Sequence, residues 1–202
     1  MTQTHLWQAM MAVIFIGWLL FGMAFVVRKP TAHSKEKKRV SASFGAIALQ
    51  GAGFGLTWSL RRDSFTPIFP AIMPVQLVMA VVAIALVAFA VWMVNAAVRT
   101  LGKQWTLAAR VLEDHALITQ GPYRIVRHPI YSGMFMMMIA TGLVVGTWIA
   151  LLAGSVVFLL GTLWRVRLEE KLLIETFGSQ YLEYKRKVPA FIPWKLPAPG
   201  SA

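Results

Sequence analysis

Apolar residues run along the chain in five blocks, at 6–27, 44–60, 75–98, 130–145 and 147–163, and every lysine and arginine lies outside them. A helix needs about 20 apolar residues to cross a hydrocarbon core, and the last two blocks, about 16 to 17 residues each, just reach. The pattern predicts an all-α integral membrane protein with five transmembrane helices. Only Gly146 separates the last two blocks, so they are expected to form a tight helical hairpin turning within 142–146.

The first block lacks a basic leader and a small-residue cleavage pattern, so it is expected to be a retained span and not a signal peptide. The basic segment after it, 28–39, lies close enough to a span end to orient the chain toward the cytoplasm. That sets the amino terminus outside and the carboxyl terminus in the cytoplasm; in a bacterium, the inner membrane with a periplasmic amino terminus. In the second block Gly45, Gly51, Gly53 and Gly55 allow close helix approach, and Gln50 reads as an interhelical hydrogen bond. The methionines at 134, 136, 137 and 138 read as adaptable packing groups. Residues 171–187 are helical in pattern, with Phe177, Tyr181 and Tyr184 along one face and Gly178 as an interruption. A proline-rich tail follows, with Trp194 expected at headgroup level.

The composition, 57% hydrophobic, is too apolar for a soluble surface. The net charge of +12 would raise the question of nucleic acid in a soluble chain, but here the basic residues flank apolar blocks, where anionic lipid attracts them. Membrane lipids are the expected partners and nucleic acid is not. The absence of cysteine removes disulfides, thiolate nucleophiles and cysteine metal sites, and 4 histidines leave no expected metal centre. The chain reads as one membrane domain, with a three-helix portion at 1–98 and a portion at 99–202 that carries the chemistry.

Two polar clusters stand out in that second portion. Residues 121–131 place Tyr123, Arg124, Arg127 and His128 between Pro122 and Pro129, which stiffen the turn, and Tyr131 just after it. Residues 165–170 hold Arg165, Arg167, Glu169 and Glu170, and ionised carboxylates beside a span are expensive unless paired. On a helix Arg165 and Glu169 share one face, and Arg167 and Glu170 another. Interfacial salt bridges and aromatic anchors would account for each residue alone. Together, at the two ends of one hairpin on the cytoplasmic side, they suit a site for an amphiphilic substrate and an ordered polar cofactor.

These residues, with Phe177-Gly178, Tyr181 and Tyr184 after them, resemble the isoprenylcysteine carboxyl methyltransferase family and its phospholipid methyltransferase relatives, in the form of a small bacterial-type member. The resemblance covers about 101–191. It implies an enzyme using S-adenosyl-L-methionine, with His115, Leu117, Tyr123, His128, Pro129 and Tyr131 enclosing the cofactor. It further implies Arg165 and Glu170 beside the transferring methyl and the acceptor, and Glu169 as a cofactor or supporting contact. The helical wheel pairs Arg165 with Glu169 instead, since residues five apart lie about 140° from each other. The expected acceptor is an isoprenoid or other amphiphilic small molecule, and Arg124, Arg127 and Arg165 favour a carboxylate head. The alternatives are a phospholipid or amine N-methyltransferase, a membrane NADPH-dependent reductase and, last, a non-catalytic scaffold.

Overall fold

A computed structural model describes residues 3–26, 36–39, 41–63, 68, 72–105, 110–112 and 116–193. Its helices are α1 (Gln3–Val26), α2 (Ser43–Ser59), α3 (Met73–Leu101), α4 (Pro129–Val144), α5 (Trp148–Phe177) and α6 (Ser179–Lys187). A short antiparallel pair, β1 (Glu36–Arg39) with β2 (Arg110–Leu112), joins two segments that the apolar pattern left as loops.

Three helices, and not five, are long and apolar enough to cross a membrane among the described residues: Thr4–Val26, Met73–Leu101 and Trp148–Phe177. The expectation of five transmembrane helices is thereby corrected. α2 has 17 residues and α4 has 16, so at 1.5 Å per residue each is only about 24 to 26 Å long against a core of about 30 Å. α5 does not stop where its apolar block stops at 163 but continues for 30 residues to Phe177, so Arg165, Glu169 and Glu170 ride on one unbroken helix.

The main core lies among α1, α3 and α4, where Trp7, Ile14, Ala90, Val94, Met137 and Ala140 are almost wholly buried. Outward faces are apolar too: Leu19, Val78, Val81 and Leu152 are each more than half exposed. Such surfaces suit hydrocarbon as the surrounding medium, in keeping with an integral membrane protein. Two indole N–H groups are paired across helices, Trp7 Nε1 donating to Gln76 Oε1 at 3.0 Å and Trp18 Nε1 to Thr141 Oγ1 at 3.0 Å.

α2 packs against α5 along a seam of glycines. A Cβ added at Gly154 would lie 2.6 Å from the Gly53 carbonyl oxygen, and one at Gly161 would lie 2.9 Å from the Gln50 nitrogen. Gly154→Ala is therefore expected to destabilise the protein by about 1 to 3 kcal/mol or more, because backbone cannot yield as a side chain can. A thermal melt in detergent reads this directly. An unchanged midpoint would mean that the two helices are not held this close.

At one end of the molecule the α4–α5 turn is stitched to the end of α2. Thr147 N–H donates to the Leu60 carbonyl at 3.0 Å and Arg62 N–H to the Val145 carbonyl at 3.2 Å. The other end gathers the start of α4, the later part of α5, α6 and a 3₁₀ turn at Gly121–Arg124. Gly121 opens that turn at φ 57°, and a Cβ there would also meet Thr100 Oγ1 of α3 at 2.7 Å, so both conformation and space call for glycine.

Candidate active site

The polar end is built on two local devices. Pro129 occupies the first turn of α4, where a missing N–H costs nothing, and the preceding His128 stays out of the helical region at ψ 60°. Three residues of tail then lie along the turn and the start of α4. Arg127 N–H donates to the Pro189 carbonyl at 2.8 Å, His128 N–H to the Ala190 carbonyl at 3.0 Å, and Ser132 Oγ to the Phe191 carbonyl at 3.1 Å. The turn and the tail after α6 thus form one strap across the mouth of α4 and α5.

Glu170, buried on α5, is the hub of this strap. Its Oε1 accepts from Arg127 Nε at 3.0 Å and Nη2 at 2.8 Å and lies 3.2 Å from His128 Nε2, while Oε2 pairs with Lys185 Nζ at 2.6 Å. Arg127 continues outward, donating through Nη1 to the carbonyls of Lys185, at 3.1 Å, and Val188. Both oxygens of Glu170 are thereby engaged by side chains from two elements, the turn before α4 and α6.

Glu169 is held differently. Its Oε1 accepts from the Tyr131 hydroxyl and from Arg165 Nε at 3.1 Å, and Oε2 lies 3.8 Å from His128 Nδ1. The Arg165 guanidinium sits 5.2 Å above the Tyr131 ring, and the Tyr131 and His128 rings stack at 5.8 Å. Arg165 Nη1 also donates to Gln50 Oε1 of α2 at 3.4 Å. One carboxylate therefore ties the scaffold together, and the other stands among an arginine, a phenol and an imidazole, with its Oε2 oxygen lightly engaged.

Tyr123 is buried in the 3₁₀ turn, and its carbonyl accepts from the Tyr184 hydroxyl of α6 at 2.6 Å. Burial, with Glu169 nearby, pushes the Tyr123 phenol well above its ordinary range, and burial does the same to Tyr184, so both stay neutral hydrogen-bond donors.

Of the residues singled out from sequence, His128, Pro129, Tyr131, Arg165, Glu169 and Glu170 come together at this end, with Tyr123 in the adjoining turn. Leu117 is half-buried in the irregular stretch before the turn. His115 lies outside the described residues, as does Trp194. The helical-wheel pair Arg165–Glu169 forms, whereas Glu170 pairs with Arg127, His128 and Lys185 and Arg167 is exposed. Lys185 and the carbonyls of 188–190 were not foreseen. No local spacing links them to Glu170, since α6 must first fold back over the turn.

This stretch of chain is what known proteins share. The model of the phospholipid methyltransferase family matches residues 78–180, half of the chain. The chain belongs to that family. It is 37% identical over 87 residues to protein-S-isoprenylcysteine O-methyltransferase of Schizosaccharomyces pombe, covering 43% of this chain and 37% of that protein. Against protein-S-isoprenylcysteine O-methyltransferase B of Arabidopsis thaliana it is 36% identical over 100 residues, covering 48% and 51%. A methanethiol S-methyltransferase of Pseudomonas deceptionensis is 40% identical over 80 residues, covering 39% and 29%. The chain thus spans between about a third and a half of the length of such relatives. Among solved structures, the eukaryotic intramembrane Ras methyltransferase ICMT superposes with a TM-score of 0.56 over 95% of this chain and 67% of that one. At 22% identity that likeness establishes the fold.

Proposed function

We propose that the protein is an S-adenosyl-L-methionine-dependent membrane methyltransferase whose acceptor is an amphiphile with a carboxylate head. The observation that carries this reading is the cluster of Arg165, Glu169, Tyr131 and His128 at one end of an apolar helix bundle, inside the stretch shared with the phospholipid methyltransferase family.

The donor set suits the cofactor. A sulfonium is a cation, and stacked aromatic rings beside a carboxylate with an oxygen to spare are what a desolvated cation requires. Tyr123, His128, Pro129 and Tyr131, with Leu117 and His115 upstream, would hold it, and Glu169 would face its positive charge. When bound, the cofactor supplies an already activated methyl group.

The chain's own residues then have three tasks. Arg165 holds and turns the acceptor head, its guanidinium braced on Glu169 and by the Tyr131 ring, and such alignment can contribute up to roughly 7 to 11 kcal/mol in ideal cases. Glu170 keeps the turn, the tail and α6 locked so that the site stays shaped. The apolar helices around the site exclude water. A carboxylate acceptor requires no proton transfer, and an amine acceptor would hand its proton to Glu169.

Two measurements test the reading. Purified protein should bind tritiated S-adenosyl-L-methionine stoichiometrically; binding of NADPH without it would overturn the proposal in favour of a reductase. Paired farnesyl thioethers, S-farnesylthioacetate and the matching primary amine, then separate the acceptors. Base-labile methyl ester is the expected product, and faster formation of stable methylamine would overturn the carboxylate assignment.

A further inference from the structure

Gln50 is an amide with both ends committed. It sits in α2, only 2% exposed, in a part of the chain that the family match at 78–180 does not reach. Its Nε2 donates to Thr162 Oγ1 at 2.9 Å and its Oε1 accepts from Arg165 Nη1 at 3.4 Å. A guanidinium can only donate, so the carbonyl end must face Arg165 and the NH₂ end Thr162. Thr162 and Arg165 are three apart on α5 and share a face, and the glycine seam at Gly161 brings the Gln50 backbone close enough to reach both.

What matters chemically is that this brace is neutral. Arg165 already has one counter-charge in Glu169. An amide holds a second nitrogen of the guanidinium without spending any of its charge, whereas a carboxylate at the same place would surround Arg165 with two anions. We propose that Gln50 is the positioning residue for Arg165, and that its neutrality makes the site prefer an anionic acceptor head. The inference rests on the reading of Arg165 as the acceptor anchor.

Two variants separate this role from packing. Gln50→Met keeps length and volume without the hydrogen bonds, and Gln50→Glu keeps shape and adds charge. The dissociation constant and KM of S-farnesylthioacetate should rise at least fivefold in Gln50→Met and at least twentyfold in Gln50→Glu. Gln50→Glu should also shift the ratio of kcat/KM toward the matching amine. Tritiated S-adenosyl-L-methionine should bind within threefold of wild type in both. Values for the carboxylate probe that stay at the wild-type level while the melting midpoint falls would reduce Gln50 to a packing group and overturn the inference alone. Should neither variant fold, Thr162→Val decides: freeing the far end of the amide should weaken carboxylate-probe binding two- to fivefold, and no change would overturn it. A wild type that neither binds nor methylates the carboxylate probe overturns the inference together with the reading of Arg165 beneath it.

Discussion

Glu170→Ala is expected to lower stability by about 3 to 5 kcal/mol and to abolish binding of S-adenosyl-L-methionine with it. Removing one partner of a buried ion pair strands the other, and here the stranded group is Arg127, with His128 beside it, while the exposed Lys185 returns to solvent. The damage would not stay local. Arg127 donates to the carbonyls that follow α6, so its release loosens the tail from the turn and exposes the backbone pairing of 127–128 with 189–190. A melt in detergent and an equilibrium binding measurement on the same sample check this. A protein with the wild-type midpoint and reduced turnover would instead return Glu170 to the place beside the acceptor that the family resemblance implied.

Arg165→Ala is expected to do the reverse, lowering turnover at least a hundredfold while the protein stays folded and binds S-adenosyl-L-methionine within threefold of wild type. A factor of a hundred corresponds to about 2.7 kcal/mol at the barrier, well inside what alignment of an acceptor can contribute. Folding survives because Glu169 keeps the Tyr131 hydroxyl, and Gln50 keeps Thr162. Arg165→Lys should recover little, since a point charge cannot reach Glu169 and Gln50 together as the guanidinium fork does. Turnover of Arg165→Ala within threefold of wild type would remove Arg165 from the reaction.

Much of this site was legible because its logic is local. Pro122 and Pro129 announce a shaped turn, and the i, i+4 spacing of Arg165 and Glu169 predicts a pair that forms at 3.1 Å. The unforeseen parts are tertiary. Arg167 and Glu170 have suitable spacing for a pair, but Arg167 points outward, and the carboxylate instead meets an arginine 43 residues earlier and a lysine on another helix. Span counting failed for a related reason. Apolar blocks mark where a helix can be buried and not how far it runs: α5 gains a charged extension to Phe177, while α2 and α4 remain too short to cross. Gln50 makes the interhelical hydrogen bond that its place in an apolar block suggests, to Thr162. That its other end would find Arg165 depended on a helix packing that the pattern alone does not specify.

The glycine seam between α2 and α5 also bears on how the proposed amphiphilic acceptor would approach. Backbone meets backbone at Gly53 and Gly154 and again at Gln50 and Gly161, leaving no lane for an acyl or prenyl chain on that flank. The side chain of Glu169 is 22% exposed and that of Arg165 only 8%, so the opening lies toward Glu169. An acceptor of the proposed kind would therefore keep its tail off the α2–α5 flank and present its head past Glu169.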